Sequence, residues 1–333
     1  MKRKKDICHA LEFAKQVELE KPWVQDLKKC EEAFRRFGPI LEKQGYTEEA
    51  EETQTLARIT FTVNRWLKTK QCYSISEALA EDLFAMEDLS FPLNAMHLPF
   101  PCFYLDMEPF LGRYKDSCGM KLLGYYVLID DVPYGSPVVA SCCSVVTLLM
   151  QENGQYAWGG TAFDYDPEHM ELSINDTVDK ITAGLPENRQ NIANALLFAA
   201  YLSSAQPEVA EDETQKRIYR PSTKHKYSSL RKWDVGVRYM AEKQVYAKKQ
   251  GDTANTSPPE PGMQDTADGK QKRHSPRPHM RKAHWQTYRI GYGRKEKKVL
   301  WIPPVTVGMS GMADGDQRHG NITAVVRERK ENL

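Results

Sequence analysis

The chain has 333 residues, of which 41% are hydrophobic and 10% aromatic, a composition that is ordinary for a folded protein and excludes general disorder. Its 46 basic and 45 acidic residues give a net charge of +1, but these charges are unevenly distributed. Ten Lys or Arg and one acid, Glu296, lie between Gln271 and Trp301, so the rest of the chain has 36 basic and 44 acidic residues. A basic arm on an acidic body is typical of a protein with a polyanionic partner.

The first residues, Met-Lys-Arg-Lys-Lys, match the basic start of a signal peptide, but charged residues from Asp6 to Glu20 interrupt the apolar run that should follow. No later stretch is long enough to cross a bilayer, so we expect a cytoplasmic protein with no membrane partner. The seven cysteines form no CxxC pair and indicate neither a disulfide framework nor a thiolate zinc site. We expect them to be small buried residues, and the sequence predicts no metal and no cofactor.

The N-terminal region has the periodicity of helices. Apolar residues at alternating spacings of four and three predict a helix from Trp23 to Phe37, which Gly38-Pro39 ends. A second helix is predicted from about Glu48 to Lys68, and Ser74-Ile-Ser-Glu77 has the pattern of a capping box that begins a third. Residues 1–98 are therefore predicted to form a small helical bundle.

Residues 99–250 have short runs rich in β-branched and aromatic residues, separated by Gly, Pro, Asp and Asn, which predict a mostly antiparallel sheet. The runs are Cys102–Met107, Leu122–Ile129, Val138–Leu149, Gln155–Phe163 and Glu171–Ile174. The apolar segment Ile192–Leu202 predicts a helix buried against this sheet. Trp233–Met240 predicts a further strand, followed by a polar helix around Glu242–Lys248. The expected fold class is α+β.

The predicted sheet region is acidic, with seventeen acids and four bases between Ser76 and Lys180. Such a surface repels nucleic acid and suits a neutral or cationic ligand. Asp106 and Glu108 are two positions apart on one predicted strand and share a face, while Asp130 ends the next strand. The arrangement fits a divalent-metal or acid-base cluster, although polar carboxylates at strand edges and turns are the commoner reason for it.

The C-terminal third divides into three predicted segments. Residues 251–276 are expected to be a flexible linker, because their first twenty positions contain no Val, Ile, Leu, Phe, Tyr or Trp. Residues 277–308 form the basic arm, and residues 309–333 form a polar tail. Within the arm, His284–Ile290 and Val299–Ile302 predict a β-hairpin with a glycine-rich turn.

Aromatic and cationic side chains are interleaved in the basic arm, an arrangement in which rings stack on unpaired bases while Arg and Lys neutralise phosphates. We predict an RNA partner over duplex DNA, since no major-groove recognition helix is apparent. The candidate RNA-binding residues are Arg277, Arg281, Lys282, Trp285, Tyr288, Arg289 and Arg294. The alternative is that Trp285 and Trp301 pack the hairpin against the body of the protein.

Three histidines, His274, His279 and His284, recur every five residues, a spacing that puts neighbours on different faces of a helix or strand and disfavours a metal site. His279 and His284 are candidate acid or base groups for RNA cleavage, with Arg277 or Arg281 stabilising the phosphate. A histidine that binds phosphate or caps a turn would have the same pattern. Whether the chain is an enzyme therefore stays open.

One set of residues in the C-terminal half is similar to the sequence pattern of a known protein family. It comprises Arg277-Pro-His279, Arg281, His284-Trp285, Tyr288, Gly291, Arg294 and Trp301 with Pro303-Pro304, preceded by the apolar helix from Ala195 to Ser204 and by Arg220-Pro221. This set resembles the second-described family of type V-A anti-CRISPR proteins, whose relatives are carried on phages and plasmids. The resemblance implies an inhibitor that recognises the N-terminal polypeptide of the type V-A effector nuclease as it is translated and brings about loss of its mRNA.

The resemblance and the charge pattern combine into one hypothesis. The acidic body would recognise the nascent peptide, and the basic arm would hold mRNA or ribosomal RNA nearby. The candidate peptide-binding residues are Asp106, Glu108, Tyr125 and Asp130. Because extended peptides commonly add to a sheet edge, the strands between Cys102 and Met150 are the expected place. A toxin-like mRNA endoribonuclease and a plasmid-borne RNA-binding protein of unrelated purpose are the alternatives.

Overall fold

The computed structural model is an α+β protein in which helices cover both faces of one large sheet. It describes residues 8–20, 40, 43–46, 59–110, 113, 119–130, 141–165, 172–181, 189–211, 230–241, 243, 279–294 and 296–307. The principal helices are α1 (His9–Glu20), α2 (described over residues 59–69), α3 (Glu77–Phe84), α4 (Ile174–Ile181) and α5 (Arg189–Ser203). Within these ranges no helix has the length and apolar character that a membrane span requires.

Seven strands form the sheet in the order β5-β4-β3-β2-β1-β7-β6. They are β1 (Gln71–Ile75), β2 (Cys102–Asp106), β3 (Lys121–Asp130), β4 (Ser141–Met150), β5 (Tyr156–Tyr165), β6 (Val209–Glu211) and β7 (Arg231–Val235). β1 pairs in parallel with both β2 and β7, and the other four neighbouring pairs are antiparallel. The prediction of an α+β fold with a mostly antiparallel sheet is confirmed.

Each face of the sheet has its own hydrophobic core. α3, α4 and α5 pack on one face, where Tyr73, Phe103 and Phe198 lie in the core. α1 and α2 pack on the other face, where Trp66, Tyr104 and Tyr126 lie. Because side chains alternate along a strand, neighbours such as Tyr73 and Cys72 belong to different cores. The central strands therefore have apolar residues in continuous runs rather than in alternation.

A β-bulge in β3 shifts this alternation by one residue. The pairing of β3 with β4 changes register between Leu122 and Gly124. As a result Leu122 and Tyr125, three positions apart, both face the α5 side, while Leu123 faces the α1 side. Gly124 lies at this point because the ring of Tyr104 occupies the space where a side chain would be.

The basic arm forms a hairpin that is docked on the α5 side of the sheet. β9 (His284–Ile290) pairs antiparallel with β10 (Glu296–Ile302) around a turn at residues 291–294, as predicted. Two short strands flank it, β8 (His279–Arg281) and β11 (Val305–Val307), and they pair with each other. The backbone N–H of Ala205, just after α5, donates to the carbonyl oxygen of Val299 at 2.9 Å. The hairpin is thus joined to the body by backbone as well as side-chain contacts.

The N-terminal region differs from the predicted bundle. Its helices pack on opposite faces of the sheet, and it supplies the central strand β1. Ser74, expected to begin a helix, lies in β1, whereas Ser76 is the N-cap of α3 and its Oγ accepts a hydrogen bond from the N–H of Leu79. The expected boundary at residue 98 therefore divides a single sheet.

Two other predicted strands differ in extent. In Glu171–Ile174, Ser173 forms an isolated bridge with Pro92, and α4 begins at Ile174. In Trp233–Met240, the strand ends at Val235, because Gly236 adopts a φ of +76° and residues 237–241 are helical. The predicted helix Trp23–Phe37, the linker 251–276 and the tail 309–333 lie outside the described residues, as does most of Glu242–Lys248.

The close packing at Gly124 predicts a specific loss of stability. A methyl group there would lie 2.3 Å from the carbonyl oxygen of Leu105 and 2.4 Å from the ring of Tyr104. We expect Gly124→Ala to lower the free energy of unfolding by about 1–3 kcal/mol through overpacking, as measured by urea unfolding. Gly159→Ala is the matched control, because a methyl group at Gly159 would have no atom within 4 Å and alanine is not disfavoured in a strand. Equal losses in both variants would contradict this explanation.

Candidate functional site

Side chains from three distant parts of the chain meet where α1 begins. His9 Nδ1 lies 3.0 Å from the hydroxyl oxygen of Tyr156 at the start of β5, and His9 Nε2 lies 3.6 Å from a carboxylate oxygen of Glu108. The backbone N–H of Glu108 donates to Asp106 Oδ1 at 3.0 Å. Asp106 and Glu108, which the sequence predicted to lie together, therefore share this site with His9 and Tyr156. The sequence pattern did not predict His9 or Tyr156 as members of the site.

Asp106 is the most buried carboxylate of this group. Burial raises its pKa, and the charge of Glu108 raises it further. The hydrogen bond from the N–H of Glu108, together with the positive charges of Lys232 and His9, acts in the opposite direction but does not cancel the effect of burial. Part of the cost of folding at neutral pH is therefore the burial of this charge.

The surface around Tyr156 is acidic. Burial raises the pKa of the Tyr156 hydroxyl, and Glu12, Cys8 and Glu108 add to the shift. Glu12 also pairs with Lys15 at 2.8 Å, and the side chains of Glu12 and Glu108 are about half exposed. We call Glu12, Asp106 and Glu108 the carboxylate cluster. Its half-exposed members, Glu12 and Glu108, present negative charge to solvent beside the start of β5.

The residues below the carboxylate cluster fix α1 to the sheet and are chemically inert. The hydroxyl of Tyr126 donates to the carbonyl oxygen of Ala10 at 2.7 Å. Burial raises the pKa of the Cys8 thiol and raises that of Cys72 much further, so neither is a thiolate nucleophile at neutral pH. The cysteines were expected to be small buried residues, and the burial of Cys72, Cys102 and Cys143 confirms this for these three.

The other two candidate peptide-binding residues do not join the carboxylate cluster. Tyr125 is completely buried on the α5 side, where its hydroxyl donates to Asn191 Oδ1 at 3.2 Å, so it offers no surface to a peptide. Asp130 ends β3, at the opposite end from Gly124, the partner of Asp106. Its side chain lies outside what is described. Across the described ranges, no three His, Cys, Asp or Glu side chains are placed to hold a metal ion.

The strands expected to receive a peptide are in the interior of the sheet. β2, β3 and β4 each have a strand on both sides. Their backbone groups are therefore already paired, and the expectation that a peptide adds between Cys102 and Met150 is wrong. The ends of the sheet are β5, with ten residues, and β6, with three.

The tryptophans of the basic arm pack against the body. Trp285 contacts Phe91 edge to face, with ring centroids 5.0 Å apart. Trp301 lies between Tyr201 and Tyr239, at centroid distances of 5.5 and 5.6 Å, and its indole N–H donates to Met86 Sδ. Base stacking by Trp285, as the sequence suggested, would require the hairpin to leave the body.

The exposed residues of the hairpin are aromatic and basic. Tyr288 is 43% exposed and Tyr292, in the turn, is fully exposed. Arg281, Arg289 and Arg294 are exposed as well. Lys282 is exposed but pairs with Glu87 at 2.9 Å, and Arg277 lies outside the described residues. Five of the seven predicted RNA-binding residues, Arg281, Lys282, Tyr288, Arg289 and Arg294, are thus displayed on the hairpin or next to it.

Of the two candidate catalytic histidines, only His284 has a described side chain. His279 begins β8, and its side chain is not described. His284 begins the neighbouring strand, with Nδ1 3.2 Å from the carbonyl oxygen of Lys282. This local contact is that of a residue capping a turn. It gives no geometric support to RNA cleavage.

Comparisons with known proteins agree with this fold. A family model described as AcrVA2-like, the anti-CRISPR type V subtype A2 family, matches residues 73–309. No curated protein matches the chain. A crystal structure of AcrVA2 is similar with a TM-score of 0.53 and 15% sequence identity, covering 90% of this chain and 99% of that chain. At this identity, the structural likeness shows the fold alone.

The burial of Asp106 predicts a pH-dependent gain in stability on its removal. Because the folded state raises the pKa of this carboxyl, the unfolded chain loses the proton more readily, and stability falls as the pH rises through the native pKa. Asp106→Asn keeps the acceptor for the N–H of Glu108 without the charge. We expect it to unfold at a higher urea concentration at pH 7, with the gain shrinking as the pH is lowered. Glu12→Gln, on the exposed side of the cluster, is the control, and an equal gain in that variant would contradict the explanation.

Proposed function

Because the chain belongs to the anti-CRISPR type V subtype A2 family, we propose that it lowers production of a type V-A effector nuclease by recognising the effector's nascent N-terminal polypeptide and triggering loss of its mRNA. The observation that carries the proposal is the family match over residues 73–309, which begins within β1 and includes the other six strands of the sheet and the hairpin. The mechanism assigns a different surface of the protein to each partner.

Charge supports this division between two surfaces. The carboxylate cluster lies beside the start of β5, on the face covered by α1. The hairpin is anchored on the α5 side of the sheet through Trp301. A polyanion is attracted by the exposed arginines of the hairpin and repelled by the carboxylates, whereas a cationic peptide has the opposite preference. Peptide and RNA can then bind one molecule together without competing for one surface.

Simultaneous binding offers specificity for one translating ribosome. A nascent peptide and the mRNA that encodes it are held together only during translation. Weak contacts to each would combine through effective concentration into a strong preference for that complex. On this mechanism the recognition step needs no catalytic residue of the protein.

A reporter experiment tests what the protein reads. The first few dozen codons of a type V-A effector are fused to a reporter and either recoded synonymously or altered in the amino acids they encode. We expect the protein to lower reporter mRNA for the native and synonymous versions and to spare the version with altered amino acids. Loss of the effect on synonymous recoding alone would contradict peptide recognition, and cleavage of naked RNA by the purified chain would instead favour an endoribonuclease.

The hairpin arginines predict a salt-dependent RNA affinity. We expect Arg289→Ala with Arg294→Ala to weaken RNA binding for all sequences and to reduce the slope of log affinity against log salt by about 0.7 for each phosphate that the arginines no longer neutralise. Fluorescence anisotropy with a labelled single-stranded RNA at several salt concentrations measures both. Arg113→Ala is the matched control, because Arg113 is on the body and pairs with Glu77 and Glu81. The same slope in the double variant and the unaltered chain would show that the hairpin does not contact RNA.

A further inference from the structure

β5 is a long strand, and on one side of its backbone no described strand pairs with it. Among the described residues, β4 is the only strand that pairs with it. Residues 156–160 are all partly or fully exposed, whereas Val146, Leu148 and Leu149 on the neighbouring strand are buried. The ten residues of β5 are thus at the free end of a sheet that is otherwise covered by helices.

The hydrogen bonds of the β4–β5 turn determine which backbone groups of β5 point away from β4. The N–H of Gln151 donates to the carbonyl oxygen of Gln155 at 2.9 Å, so these two opposite residues form a hydrogen-bonded pair. In an antiparallel ladder, hydrogen-bonded and non-hydrogen-bonded pairs alternate. The regular register from Met150↔Tyr156 to Ser141↔Tyr165 carries this alternation along the whole strand. The N–H and C=O groups that point away from β4 belong to Tyr156, Trp158, Gly160, Ala162 and Asp164.

β5 itself lacks several of the features with which proteins usually protect such an edge. Exposed edge strands are normally short, bulged, or interrupted by Lys or Pro, since free backbone groups recruit other strands. β5 contains no Lys, Arg or Pro and pairs with β4 without a shift of register. Trp158 is 39% exposed, and the space in front of Gly159 on the opposite face is empty. Within the part of the chain that the structure describes, the edge is therefore open to another strand and has an aromatic surface beside it.

The charges around β5 favour a basic occupant. The described residues between 150 and 180 include four acids and one base, Lys180. Glu12 and Glu108 lie near Tyr156, whose side chain shares a face of the sheet with that of Trp158. A second copy of the chain paired at this edge would bring two acidic surfaces together. A basic peptide instead gains attraction to the carboxylates and a cation-π contact with Trp158.

We propose that the free edge of β5 binds an extended, basic peptide as an additional strand, held by the outward backbone groups of Tyr156 to Asp164 and selected by Trp158 and by the half-exposed carboxylates Glu12 and Glu108. The inference rests on the proposed function, in which the peptide is the nascent N-terminal segment of the effector. It specifies the place and form of that recognition: main-chain hydrogen bonds give affinity, and alternate side chains give selectivity.

Two substitutions at one position test the role of the backbone. The probe is a synthetic peptide of the effector's first few dozen residues, titrated by fluorescence anisotropy against the full chain. Trp158→Thr and Trp158→Pro both remove the indole, but only proline removes the outward N–H while leaving the bonds to β4 intact. We expect Trp158→Pro to bind the peptide roughly tenfold more weakly than Trp158→Thr, the effect of one lost hydrogen bond and the blocking ring. Urea unfolding verifies that both variants fold.

Residue-resolved hydrogen exchange of the unaltered chain supplies a second readout. Peptide binding should slow exchange at the outward amides of Trp158, Gly160, Ala162 and Asp164 and leave the already bonded amides between them unchanged. This alternating pattern would not arise from binding elsewhere. Protection confined to another part of the chain would overturn the proposal.

The outcomes separate this inference from the function on which it rests. If the unaltered chain binds the peptide and the proline and threonine variants bind equally well, the β5 site is wrong while nascent-peptide recognition survives. If the unaltered chain does not bind the peptide, both are wrong. If sedimentation shows a dimer that Trp158→Pro dissociates without changing peptide affinity, the edge pairs with a second copy, and the peptide site is likewise overturned.

Discussion

The parallel pairing of β1 with two neighbours holds the rest of the structure together. On one side of β1 are the four antiparallel strands β2 to β5, and on the other are β7 and β6. The buried side chain of Gln71 secures this junction, since its amide accepts from the indole N–H of Trp233 at 2.7 Å and donates to the carbonyl oxygen of Thr69 at 2.8 Å. Its backbone oxygen also accepts from the indole N–H of Trp66 at 2.8 Å. These hydrogen bonds satisfy the buried amide of Gln71, which would be destabilising if it were left unpaired.

This central position of β1 explains why the helices lie on both faces. A parallel strand is connected to its neighbours through crossovers, which place helices over the sheet and bury it on both sides. Here the crossovers bring α3 and α5 to one face, and α1 and α2 cover the other. The two layers carry different surfaces, the carboxylate cluster with α1 and the basic hairpin with α5. The separation of charge along the sequence thus becomes a separation in space.

The sequence predicted the elements whose signal is local. The hairpin follows from the strand pattern of His284–Ile290 and from glycines at its turn, and the buried helix follows from an apolar segment that includes Leu196 and Phe198. The position of β1 was missed, because its partners are some thirty residues away in β2 and 160 residues away in β7. No local pattern contains that information. The prediction that Ser74 begins a helix failed for the same reason. Ser74 and Ser76 are alike in sequence pattern, and only the pairing of Ser74 with Asp234 in the sheet shows that the N-cap is Ser76.

The carboxylate site was predicted only in part, because local patterns reveal neighbours in sequence but not residues that the fold brings together. Asp106 and Glu108 were identified because they are adjacent in sequence, whereas His9 and Tyr156 join them only through the path of α1 across the sheet. Tyr125 was misjudged because helices cover both faces of the sheet, so a residue of this central strand is buried whichever way it points, and Tyr125 is buried against Asn191. The edge at β5 is a property of the complete strand order and so was not accessible to reasoning about single strands.

The aromatic residues of the hairpin have two different roles: the tryptophans pack against the body, and the tyrosines are exposed to solvent. Trp285 and Trp301 are opposite each other across the strands and face the body, while Tyr288 belongs to the other face. Burial of the tryptophans is what lets a small two-stranded hairpin be stable, since such a hairpin is marginal alone in water. The charged and exposed residues are then free to meet a partner. On the proposed function, RNA held by this hairpin and a peptide held at the sheet edge are both attached to one buried framework, which keeps the two binding surfaces at a fixed distance and raises the effective concentration of the second partner once the first is bound.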